Sequence, residues 1–232
     1  DCVGIVCEAE KMGLKIQGSR LAPRSGDKVV ARRNNFETGK NGNFDLVLIE
    51  RASGQFDLEV FMKLQFFFIE GDDDKSGWAT KTEHKWTANE KAIFLVTWYS
   101  TIKYLWSKRK IAKLSNGKFL SVFMTFYIQE AGTLSDHFEI DVVKIPKSGA
   151  HSGSYVDTSI FSADVVLDSK DFTPKASGQR AAIHEFGHML GMPDEYKTSS
   201  AHYSDKTSIM NTGTVIKPRH FSHLTKWVEQ RI

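Results

Sequence analysis

The sequence predicts an α+β fold, and three observations predict it. Residues 44–50 and 56–70 are apolar at strand length, and the short polar Ala52-Ser53-Gly54-Gln55 between them reads as a hairpin loop. Thr87-Ala88-Asn89-Glu90 is a capping box, in which the threonine and glutamate side chains each satisfy the other's free backbone N–H, and it opens a helix running to about Trp106. Near the other end, Ile183, Phe186 and Leu190 recur at i, i+3 and i+7, the spacing of one helical stripe, before Gly191 stops the helix.

In chain order, residues 1–40 are rich in Gly, Lys and Arg with short apolar pieces such as Lys28-Val29-Val30, and are expected to form an N-terminal extension or a small β element. Residues 41–232 are expected to form the main domain. It opens on the turn signal Asn41-Gly42-Asn43. Asp72-Asp73-Asp74-Lys75-Ser76-Gly77 is acidic but lacks the ligand spacing of a calcium loop, so a solvated turn is expected. On the first helix, Ala92, Leu95, Val96, Tyr99, Ile102 and Trp106 line one face, and Phe94, Trp98 and Leu105 widen it. Only a narrow stripe at Thr97, Ser100 and Lys103 is polar, which predicts a largely buried helix. After the turn Ser115-Asn116-Gly117, residues 118–129 and 137–145 read as strands, 146–159 as a loop or ragged edge strand, and 162–167 as a further strand. The next helix is expected to start at Thr173-Pro174 or at Ser177. A closing helix is expected from His220 to Gln230, with Phe221, Leu224 and Val228 inward.

Composition excludes several classes. A chain of 232 residues can bury a sizeable core, and a net charge of +3 is too small to argue for nucleic acid or a membrane surface. The longest apolar run, Leu58 to Ile69, is broken by Glu59, Lys63 and Gln65, short of the ~20 residues of a membrane span. Asp1-Cys2-Val3 opens polar and mixed, so no signal peptide is expected at this start; a mature form, an excised domain and export by other means all stay open. Cys2 and Cys7 are consistent with one local disulfide or with two free thiols.

The chemistry concentrates at Ala181 to Asp194. On a helix, His184 and His188 share one face about 6 Å apart along the axis, so two imidazoles can close on one metal ion while Glu185 reaches its bound water. Gly191 turns the chain back, Pro193 stiffens the turn, and Asp194 arrives where a third ligand is needed. A glycine inside a helix costs about 1 kcal/mol relative to alanine, so Gly187 predicts something packed closely against it. Zinc is the expected cofactor, with three protein ligands and a fourth position for water.

This pattern, HExxHxxGxxD, resembles the metzincin clan of zinc peptidases, most closely its snapalysin-like branch, which carries aspartate where most of the clan has histidine. Ser208-Ile209-Met210-Asn211-Thr212-Gly213 is similar to the clan's methionine-containing turn. The resemblance implies a metzincin-like zincin with a twisted mixed sheet, a buried backing helix, an active-site helix, a Met-turn and a C-terminal helix. It implies Met210 beneath the histidines, and a zinc endopeptidase in which Glu185 takes the water's proton. Substrate would lie along a sheet edge, for which residues 154–160 are expected. Some relatives have an oxyanion-binding tyrosine two residues after the methionine. Thr212 stands there in this chain, which leaves Tyr203 and His220 as possible substrate or oxyanion contacts. Glu195 and Tyr196 read as supporting residues, His202 as a solvated loop residue, and His84, His137 and His151 as surface residues. Expected partners are a protein or peptide substrate and a proteinaceous inhibitor or immunity protein, in a secreted setting. Two other readings stay open: a narrow-specificity secreted effector peptidase, and a non-catalytic zinc-stabilised module closed by His202 or His220.

Overall fold

The computed structural model describes residues 16–37, 43–70, 85–130, 137–146, 153–157 and 164–232. Cys2, Cys7, the acidic turn at 72–77, His84 and His151 lie outside them. The described strands are β1 (Ile16–Gln17), β2 (Lys28–Glu37), β3 (Asn43–Glu50), β4 (Phe56–Ile69), β5 (Lys108–Lys113), β6 (Phe119–Glu130), β7 (Phe138–Val143), β8 (Tyr155–Asp157) and β9 (Asp164–Asp168). The helices are α1 (Ala88–Trp106), α2 (Ala181–Met189) and α3 (Ser222–Glu229), with a 3-10 turn at Pro218–Phe221 leading into α3. The fold is α+β with one mixed sheet, as expected. None of the described helices is long and apolar enough to cross a membrane.

β4 is the spine of the sheet. Its side chains alternate faces, so Phe56, Leu58, Val60, Met62, Leu64 and Phe66 are buried on one side while Asp57, Glu59 and Gln65 take the other. That alternation explains the charged interruptions in the sequence. β6 pairs with β4 in parallel, from Phe56↔Leu120 to Phe66↔Glu130. Parallel neighbours need a crossover, and α1 lies in it. β4's other edge is shared. β3 runs antiparallel along its first half and β7 parallel along its second. β9 continues from β7, and antiparallel β8 forms the edge. β2 joins through β3, while β1 and β5 pair with β6.

α1 starts as expected, with both halves of the Thr87–Glu90 capping box formed. Its buried face is centred on Leu95, Trp98 and Ile102, whereas Val96 and Tyr99 are only half-buried. Trp98 sets its ring against Phe66 of β4 (5.5 Å between centroids), Phe126 of β6 (5.1 Å) and Phe186 of α2 (5.8 Å), so α1 is clamped between sheet and α2. Trp98→Ala is therefore expected to cost about 3–5 kcal/mol. Tyr104→Ala, at an 81% exposed position on the same helix, should stay within about 0.5 kcal/mol. Equal denaturation midpoints for the two variants would contradict this packing.

Three expectations need correction. The active helix starts at Ala181, because Gly178 adopts a left-handed φ of 81° within a turn closed by Gly178 N–H to Lys175 O (2.8 Å). The closing helix is a 3-10 turn followed by α-helix, with Pro218 at its first position. His137 is not a surface residue. It is 7% exposed and its Nδ1 accepts the Lys63 N–H at 3.0 Å. β5 had no counterpart in the sequence reading, since Lys108-Arg109-Lys110-Ile111-Ala112-Lys113 reads as polar. Charge of that kind is what an edge strand carries.

Candidate metal centre

The turn through residues 173–180 delivers the chain to α2, where Ala182 N–H donates to Asp171 O (3.3 Å). At the far end Leu190 N–H returns to Phe186 O (3.1 Å), and Gly191 takes a φ of 90° that a residue with a Cβ avoids. That reversal carries residues 192–194 back under the helix. Asp194 Oδ1 then lies 3.3 Å from His184 Nε2 and 3.1 Å from His188 Nε2, and the two Nε2 atoms are 3.1 Å apart.

These three atoms are all acceptors. His184 Nδ1 donates to Ile209 O (2.7 Å) and His188 Nδ1 donates to Met192 O (2.6 Å), so each Nε2 presents a lone pair. Asp194 Oδ1 is buried with no hydrogen-bond donor. With both rings neutral the converging lone pairs repel, and a cation at their centre, a proton shared with the Asp194 carboxylate or a metal ion, removes the repulsion. Donors about 2.0–2.2 Å from a tetrahedral zinc lie about 3.3–3.6 Å apart, close to the triangle seen here. His184, His188 and Asp194 form the one such group among the described residues.

Residues 208–213 form the floor. Met210 is fully buried, and a Cβ built on Gly187 would fall 2.2 Å from Met210 Sδ and 3.2 Å from the Trp106 ring. The helix glycine is therefore where the methionine packs in. The same turn holds the third-ligand loop, since Glu195 N–H donates to Met210 O (2.8 Å) and Asn211 Nδ2 donates to Glu195 O (3.2 Å). Arg219 grips both Glu195 carboxylate oxygens at 2.8 Å and Asp205 at 2.8 Å. Glu195 is pulled down to about 2, because Arg219, Ser208 and the nearby His220 outweigh its burial.

Gln179 is a further residue of the site. Its amide nitrogen donates to Ile209 O (2.8 Å) and Asn211 O (2.9 Å), tying the pre-helix turn to the floor. A glutamine in a Ser-Gly-Gln loop gives no signal of this. Tyr196 does more than support the loop. Its ring stacks on His184 (6.2 Å, 24°), and its hydroxyl bonds the Asp194 carboxylate. Burial and that carboxylate push it up to about 12, so it is a proton-bearing donor, and it is 46% exposed. His220 is elsewhere: 2% exposed, with Nδ1 accepting from Lys217 N–H (3.1 Å) and Nε2 beside Ser208 Oγ (3.1 Å). Tyr203 lies under Lys206 Nζ, 3.8 Å from its ring centre. Neither Tyr203 nor His220 contacts the three donors.

Glu185 is 7% exposed, and its carboxyl is pushed up to about 7, first by burial and then by the charges of Asp171 and Asp194, against the pull of His184. Asp194 is held well below the carboxylate range because His184, His188, Tyr196 and Lys197 outweigh its partial burial. One carboxylate is thus fixed as an anion and its neighbour is poised near neutrality.

The catalytic-domain model of the immune inhibitor A peptidase M6 family matches residues 127–226, a window holding α2, the donor triangle and the Met210 turn. That match supports a metallopeptidase. It does not single out the snapalysin-like branch. No curated protein and no solved structure matches the chain.

Proposed function

We propose that the chain is a zinc-dependent endopeptidase with His184, His188 and Asp194 as ligands and Glu185 as general base. The observation that carries this reading is a two-histidine, one-carboxylate acceptor triangle with a buried carboxyl, Glu185, next to the first histidine on the same helix. Bound zinc supplies an acidified water and a Lewis acid for the scissile carbonyl. Glu185 takes the water's proton and hands it to the leaving amine nitrogen. Tyr196 holds Asp194 in place in the free chain and, being half-exposed, turns its single O–H from Asp194 to the developing oxyanion, the role left open by Thr212. A substrate chain adds to the sheet as a strand at β8, which is the edge and touches α2. A protein or peptide substrate follows, and a secreted setting and a proteinaceous inhibitor come with the family resemblance.

A closed structural zinc site needs a fourth protein ligand. Among the described residues neither His202 nor His220 joins the triangle, which favours the catalytic reading. Metal analysis of the folded chain should find one zinc, and Asp194→Ala should lower zinc affinity by at least about tenfold, as loss of a ligand or its support does. A wild-type zinc affinity in Asp194→Ala would discard the ligand assignment. Digestion of unstructured casein separates a general peptidase from a narrow effector, which would leave casein largely intact.

A further inference from the structure

The sheet face turned away from the helices carries a cavity of about 530 Å³ between the chain at 21–27, the β3–β4 hairpin and β5. Four cations, Arg24, Arg51, Arg109 and Lys110, line it with two carboxylates, Asp27 and Asp57. Both carboxylates are committed to Arg51, each at 2.6 Å, and Asp27 also accepts the N–H groups of Arg24 (2.8 Å) and Ala52 (2.9 Å). Arg24, Arg109 and Lys110 are left without an ion-pair partner among the described residues. Arg109 instead lies over the Phe123 ring at 5.7 Å.

Successive residues of a regular strand face opposite sides, yet Arg109 and Lys110 both line this cavity. The cause is a break in register between Lys108 and Ala112, where Lys110 takes a left-handed φ of 52° and donates its N–H to Ser121 Oγ (3.1 Å). A left-handed φ is costly for a lysine, offset here only by the Ser121 bond and the Phe119 ring 5.4 Å from Lys110 Nζ, and gathering like charges opposes folding. Bulges of this kind re-aim side chains.

The geometry points to a binding site for a multiply charged oxyanion, a phosphate or sulfate group carried on a larger molecule. Arginine forks match such oxygens two at a time, Arg51 is already braced, and the volume exceeds that of one inorganic ion. The site shares no residue with the metal triangle and stands or falls apart from the peptidase reading.

Calorimetric titration of the full chain with inorganic phosphate and with inorganic sulfate, at ionic strength held constant with sodium chloride, tests it. Saturable one-site binding is expected, and the tighter of the two anions names the group. Arg24→Gln and Arg109→Gln should each weaken it by about tenfold, the loss of one charge-assisted hydrogen bond, without changing the unfolding temperature. Lys110→Gly should also weaken binding while raising the unfolding temperature, because glycine accepts the left-handed φ. Heats equal to those of chloride, or three variants that bind as the parent does, overturn the proposal.

Discussion

Glu185→Gln is expected to lower peptide hydrolysis by about 10²–10⁴-fold, the range for loss of a general base, while zinc content stays at the parent level. The amide keeps the size and burial of the side chain but cannot accept the water's proton. Glu185 ligates nothing in the triangle, so the three donors are untouched. Metal analysis and a peptide-library digest read by mass spectrometry measure the two halves separately. A variant with parental turnover removes Glu185 from the mechanism. One that loses its zinc shows instead that the substitution disturbed the site.

Gly187→Ala is expected to be strongly destabilising although it adds a single methyl group. In a solvent-facing helix this change stabilises by about 1 kcal/mol. Here the new carbon would sit 2.2 Å from Met210 Sδ, with Met210 Cε at 3.0 Å and the Trp106 ring at 3.2 Å, all inside a close-packed core. The sulfur is mid-chain in a fully buried side chain and has nowhere to move, so overpacking of about 1–3 kcal/mol or more wins. Relief by pushing α2 off the floor would part His184 from Ile209 O, and zinc affinity should fall with stability. A double-mutant cycle with Met210→Ala isolates the contact. The pair should be less damaged than the sum of the two singles. A Gly187→Ala protein more stable than the parent would show that Met210 yields.

Much of this was legible in the sequence because it is local. The Thr87 capping box and the spacing of His184, Glu185 and His188 act within a turn or two of helix, and Gly187 signalled its close neighbour. What stayed hidden depends on distant chain. His137 reads as a polar surface residue until β7 brings it to the Lys63 N–H. Gln179 has meaning only once residues 209–211 fold beside it. β5 has the composition of a loop, and its strand character comes wholly from pairing with β6. Thr173-Pro174 suits a helix's first turn, but Gly178's left-handed turn forbids continuity into α2.

The parallel pairing of β4 with β6 also shapes how the chain is made. Phe56 must wait for Leu120, 64 residues later, and Phe66 for Glu130. At a synthesis rate of about 5–20 residues per second, the stretch takes roughly 3–13 s to emerge. Until α1 emerges with Trp98 to cover Phe66, a strand of 14 residues, bearing six large apolar side chains on one face, has only β3 to shelter half of one edge. Ribosome-bound nascent chains ending between residues 70 and 120 should therefore be the ones that recruit holdase chaperones, and release should coincide with the appearance of β6.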